Sequence, residues 1–150
     1  LWAGAEHPEV KGLVCINPAT QPQPQEVLDM VQGMLDSGTE TMDGIGSDIA
    51  DPNVHETAYA GTPLAAMKSF LADGLAPLAP RYPSIKMPLL LFTSVQDHVV
   101  QPSDSDALAA TYGGSVERVM LERSFHVATQ DYDKDIIFEG AVAFARRVTA

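Results

Sequence analysis

The sequence predicts a mixed α/β fold built on about three parallel strands, with a helical segment inserted after the first strand. Two observations carry this. Three short, mostly apolar runs, "LVCIN" (Leu13 to Asn17), "LLLFTS" (Leu89 to Ser94) and "SVERVML" (Ser115 to Leu121), are bounded by turn residues and read as sheet strands. Longer stretches with helical apolar spacing lie between and after them, and strands separated by helices imply parallel pairing. With 150 residues, 45% of them hydrophobic, the chain has enough apolar material for one domain's core. The sheet-bearing body is expected over 1–19 and 84–150, and the insertion over 20–83.

In chain order, "LWAGAEHP" reads as the end of a helix stopped by Pro8. The first strand comes next, and Pro18 leads into the Pro/Gln loop "PATQPQPQ", which no helix or central strand would tolerate. In "EVLDMVQGMLDSG", Val27, Met30, Val31, Met34 and Leu35 recur helically and Gly38 supplies a stop. An acidic, Gly-bearing irregular stretch comes after it. Pro63 then opens a helix with Leu64, Met67, Phe70 and Leu71 on one face, and Pro77, Pro80 and Pro83 are expected to break the chain beyond that helix. The insertion is therefore expected to be all-helical. After the second strand, "PSDSDALAATYGG" reads as a helix with acids at its positive end and Gly113–Gly114 at its close. The final helix carries Ile137, Ala141, Phe144 and Val148 on one face, with Asp131 and Asp133 expected as its caps and Arg146–Arg147 at its end.

The net charge of −11 disfavours phosphate backbones and anionic surfaces, so no nucleic-acid partner is expected, nor an anionic substrate. No run reaches the ~18 apolar residues of a membrane span. A single cysteine, Cys15, excludes an internal disulfide and a Cys-based metal cluster, and its place in "GLVCIN" reads as a small buried hydrophobe.

In a parallel sheet, functional groups collect at the carboxyl ends of the strands. Asp97 comes after the second strand and His126 after the third, one strand–helix–strand unit apart. An Asp that accepts a proton from one imidazole nitrogen fixes the tautomer and steadies the imidazolium, which makes the other nitrogen a general base. The plainer reading is an Asp that forms a turn and a His that only makes structural hydrogen bonds. His98 competes with His126, but it adjoins Asp97 and is poorly placed to be oriented by it. His7 and His55 have no companion groups.

The stretches "HPEVKGLVCINPA", "MPLLLFTSVQDHVVQPSDSDAL" and "SFHVATQDYDKDIIFEGAVAF" resemble the C-terminal part of the α/β-hydrolase superfamily, and more narrowly its bacterial carboxylesterases and monoacylglycerol lipases. There the acid sits in a D-x-V-V-x-P turn, matched by Asp97, Val99, Val100 and Pro102. The base sits in a (S/G)-(F/Y/H)-H-V turn, matched by Ser124, Phe125, His126 and Val127. The resemblance implies a Ser-Asp-His triad with Asp97 and His126 as its catalytic acid and base. It further implies a helical cap over 20–83, an ester or lipid substrate with an apolar acyl group, and neither cofactor nor metal. Asn17, Met67, Phe70, Val99 and Val127 are the candidate substrate-binding residues, and Met30, Met34, Met42 and Leu71 would add apolar wall.

The family's G-x-S-x-G nucleophile elbow is not among these residues. The nearest approach is "GIGSDIA", where Ser47 lacks the flanking pattern and a preceding strand. "HP-x-V-x-G" at His7 to Gly12 matches the stretch just past the elbow helix, so the serine is expected upstream of Leu1, in a missing N-terminal half of the same protein. The 150 residues alone are then expected to be inactive and poorly stable, with an unpaired sheet edge. With no targeting pattern visible, a cytoplasmic location is the expectation. Two alternatives stay open on the sequence. One is an α/β-hydrolase with an Asp nucleophile, as in haloalkane dehalogenases and epoxide hydrolases. The other is a non-catalytic binding module.

Overall fold

The computed structural model describes residues 1–150. Helix α1 (Trp2–Glu6) leads to strand β1 (Leu13–Ile16), and strands β4 (Leu89–Ser94) and β5 (Val116–Leu121) complete a parallel sheet in the order β1-β4-β5. Leu13 pairs with Leu89, which pairs with Val116. All six residues of the central strand are buried, as a strand covered on both faces requires.

Alternate side chains of β4 feed two separate cores. Leu89 and Leu91 pack with Leu78, Tyr82, Ile85 and Leu108 on one face. Leu90 and Phe92 pack with Leu121, Ala128, Ile137 and Phe144 on the other. Helix α5 (Pro102–Thr111) supplies Leu108 to the first core, and α6 (Lys134–Thr149) supplies Ile137 and Phe144 to the second. No helix is long and apolar enough to cross a membrane.

The segment between β1 and β4 departs from the expectation of an all-helical insertion. Helix α2 (Gln25–Asp36) forms, and Gly38, at φ 87°, closes it in the left-handed region. The acidic stretch beyond it contains a two-stranded antiparallel sheet, β2 (Thr41–Asp43) with β3 (Gly61–Pro63). Three-residue strands carry no readable periodicity, which is why pattern alone misses them.

The prolines do not break the run after Pro63 either. The chain stays helical from Leu64 to Ser84 by changing type: α3 (Leu64–Ser69), a π-helical stretch (Phe70–Leu75), α4 (Ala76–Leu78), then a 3₁₀ stretch (Ala79–Ser84). Pro77 and Pro80 sit in the first turn after a change of type, where a missing N–H costs least. Gly113 ends α5 for a reason other than backbone freedom. A Cβ there would lie 2.0 Å from the carbonyl oxygen of Pro83, so close backbone approach demands glycine.

Candidate active site

Strands β4 and β5 end side by side, with Ser94 level with Leu121, so the loops beyond them emerge together. Asp97 sits in the first loop. Its Oδ1 accepts the N–H groups of Val99 and Val100 at 2.9 and 2.8 Å, an Asx-type turn that fixes the carboxylate's direction. Its Oδ2 lies 2.8 Å from Nδ1 of His126. An ionised carboxylate only accepts, so Nδ1 carries the proton and Nε2 is left with a free lone pair. The structure thus brings the two sequence-predicted residues into direct contact.

The loop that carries His126 is held by carboxylates along its length. The N–H groups of Arg123 and Ser124 donate to Asp133 Oδ2 at 2.9 and 3.0 Å. That of Phe125 donates to Asp131 Oδ2 at 2.9 Å, and that of His126 to Asp48 Oδ2 at 2.9 Å. Asp131 and Asp133 therefore do not cap the last helix. Asp133 occupies the position before α6 but makes no capping bond with its side chain. Both turn back on the histidine loop, because four successive amides there have no sheet or helix partner and need acceptors. Asp131 also receives Ala50 and Asp51 N–H, which ties in the segment between β2 and β3.

These contacts set the charge state of the carboxylates. Burial pushes Asp133 up, but hydrogen bonds from Arg123 and Ser124 outweigh it, so its pKa falls below the usual carboxylate value. In Asp48, too, burial pushes up, and donors from His126 and His98 outweigh it.

Asn17, directly after β1, has φ 46°, a left-handed conformation that Asn tolerates better than most residues. Its Nδ2 donates to Ser94 Oγ at 2.9 Å and to the His126 carbonyl at 2.8 Å, and its Oδ1 accepts Ser94 N–H at 2.7 Å. Asn17 thus buttresses the His126 loop from the sheet and does not line the cavity beside it.

That cavity, about 430 Å³, is lined by His126, Val99, Val127, Asp48 and the β2–β3 segment, including Ile45, Glu56 and Tyr59. Of the candidate substrate-binding residues, Val99 and Val127 border this cavity. Met67 and Phe70 are not among the lining residues. Phe70 borders a separate apolar groove of about 360 Å³ with Leu1, Trp2 and Cys15. Met30 and Met42 are exposed and Ser47 faces solvent, all three outside the cavity lining.

Sequence reasoning missed Asp48 and the true partners of Asp131 and Asp133. His98 is oriented after all, by Asp48 at 2.8 Å and not by the adjacent Asp97. Asn17, a non-glycine turn former directly after a strand, did carry a local signal. Asp48 carried none, since its partners lie fifty or more residues away in the chain.

No family model matches the chain. It is 34% identical over 147 residues to the thermostable monoacylglycerol lipase of Bacillus sp. (strain H-257), covering 96% of this chain and 56% of that protein. Among solved structures it superposes on a chain of the metagenome-derived lipolytic enzymes LipS and LipT with a TM-score of 0.86 and 35% identity, covering 97% of this chain and 59% of that one. The Paleococcus ferrophilus monoacylglycerol lipase shares the fold, with a TM-score of 0.66 at 15% identity, over 93% of this chain and 60% of that one. The chain thus spans little more than half the length of the relatives it matches.

Proposed function

This chain belongs to the α/β-hydrolase superfamily and carries the C-terminal portion of that fold, and from this premise we propose that it supplies the acid and base of a serine ester hydrolase. The observation that carries the reading is the 2.8 Å contact between Asp97 and His126 at the carboxyl edge of a parallel sheet, beside a cavity. The serine would come from sequence preceding Leu1. Strand β1 is an edge strand of this sheet, available to pair with a further parallel strand ending in a nucleophile elbow.

In the proposed reaction, Nε2 of His126 takes the serine proton as the serine oxygen attacks the ester carbonyl. Asp97 holds the tautomer and stabilises the imidazolium. The imidazolium then returns the proton to the departing alcohol. Water enters, His126 again acts as base, and the acyl-enzyme is released as the acid.

The segment over 20–83 acts as a cap in this reading, since its β2–β3 region walls the cavity above His126. Ile45, Val99 and Val127 offer apolar contact for an acyl chain, which fits the lipolytic relatives. The test is hydrolysis of short-chain aryl esters and monoacylglycerols by the full-length protein. Turnover that His126→Ala lowers on the order of 10³-fold or more, to a small residual rate, supports the proposal. Absence of ester turnover, or turnover indifferent to His126→Ala, refutes it. The 150 residues by themselves are expected to give no turnover.

A further inference from the structure

A carboxylate outside the Asp97–His126 pair touches both of the loops that carry that pair. Asp48 is buried on the cavity wall, in the segment between β2 and β3. Its Oδ2 accepts the N–H of His126 at 2.9 Å and the N–H of His98, the residue after Asp97, at 3.2 Å. Its Oδ1 lies 2.8 Å from Nδ1 of His98. Its own carbonyl accepts the N–H of Val127 at 3.1 Å. The His98 ring meets Phe125, next to His126, edge to face with centroids 4.5 Å apart.

We propose that Asp48 is a positioning residue for the base, and that its Oδ2 sets the spacing between the loop of Asp97 and the loop of His126. This rests on the reading of His126 as general base. One oxygen atom joins the main chains of both loops, so neither can drift without losing a charge-assisted bond. A carboxylate suits the task because it has several lone pairs and no proton to misdirect. An amide in its place keeps one acceptor oxygen for the two main-chain N–H groups, but the charge that strengthens those bonds is gone and the His98 ring stays bonded only by changing tautomer. The Asp97–His126 contact fixes the ring about one nitrogen, while Asp48 fixes the backbone from which the ring hangs. Gly44, Ile45 and Gly46 share the cavity wall with Asp48, so the surface that meets the substrate and the base are one connected piece.

A residue that only built the wall would govern substrate binding, whereas a residue that aims the imidazole governs the chemical step. Steady-state kinetics on a short-chain aryl ester separate the two in the full-length protein, with wild type, Asp48→Asn, His126→Ala and the double variant compared. Asp48→Asn is expected to lower kcat on the order of 10- to 100-fold, the cost of a misplaced base. KM should stay within about twofold, since the interaction lost belongs to the transition state. In the His126→Ala background Asp48→Asn should change nothing further, because the group it positions is gone. Should Asp48→Asn fail to fold, Asp48→Glu, which keeps the charge and displaces both oxygens by a methylene, is read in the same way. A raised KM at unchanged kcat overturns the proposal, as does an equal further loss in the His126→Ala background. A wild-type protein without ester turnover, or one that keeps it after His126→Ala, removes the base role itself and the proposal with it.

Discussion

Oδ2 of Asp97 meets Nδ1 of His126 at 2.8 Å, with the acid side chain 2% exposed and the imidazole 29% exposed. The carboxylate is sealed in while the imidazole reaches the cavity. Two backbone amides hold the other carboxylate oxygen, so the acid cannot rotate away from the ring. Asp97→Asn keeps the shape but offers no second acceptor, so the ring loses its enforced tautomer. In the full-length protein, kcat on an aryl ester is expected to fall on the order of 10³- to 10⁴-fold. A loss below about tenfold would place the acid elsewhere.

Asp133 links stability to pH. Its folded-state pKa lies below the ordinary value, so the stability it contributes is fully present above the unfolded carboxylate pKa near ~3.9. That contribution is lost as pH falls through the lower folded value. Asp133→Asn should therefore cost about 1–3 kcal/mol at neutral pH: its one oxygen can still accept from the Arg123 and Ser124 amides, but those bonds lose their charge and its NH2 faces the Arg123 guanidinium in place of an acceptor. Denaturant titrations of the full-length protein from pH 7 to pH 3 should show the variant's deficit shrinking below pH ~4. A deficit constant across that range would contradict this.

Asn17 combines a left-handed backbone with side-chain hydrogen bonds to Ser94, Phe125 and His126. Asn17→Ala should destabilise by about 2–4 kcal/mol, through lost bonds and a strained φ. Asn17→Gly removes the strain and should recover only about 1 kcal/mol of that loss. Full recovery by glycine, measured by urea denaturation, would show that the hydrogen bonds to Ser94 and His126 carry nothing.

The sheet was legible because β1, β4 and β5 are apolar runs set off by turn residues, and because helical spacing marked α2 and α6 while start and stop residues marked α5. Asp97 and His126 were legible for a related reason: each comes just after a strand, and parallel neighbours bring such loops together. The β2–β3 pair was not, since Thr41–Asp43 and Gly61–Pro63 are too short to show alternation. The roles of Asp48, Asp131 and Asp133 were also hidden. An aspartate before a helix looks the same whether it caps that helix or turns back to hold a loop, and the choice depends on amides orphaned elsewhere. Phe70 and Met67 obeyed helical spacing but belong to a run whose change to π geometry no residue pattern announces.

The most direct test of the proposed Ser-Asp-His chemistry is labelling of the full-length protein with an alkylphosphonate, with the modified residue located by peptide mapping. One modified serine is expected, preceding Leu1, and its modification should slow by several orders of magnitude in His126→Ala. No modified serine, or labelling at an unchanged rate without His126, would contradict it.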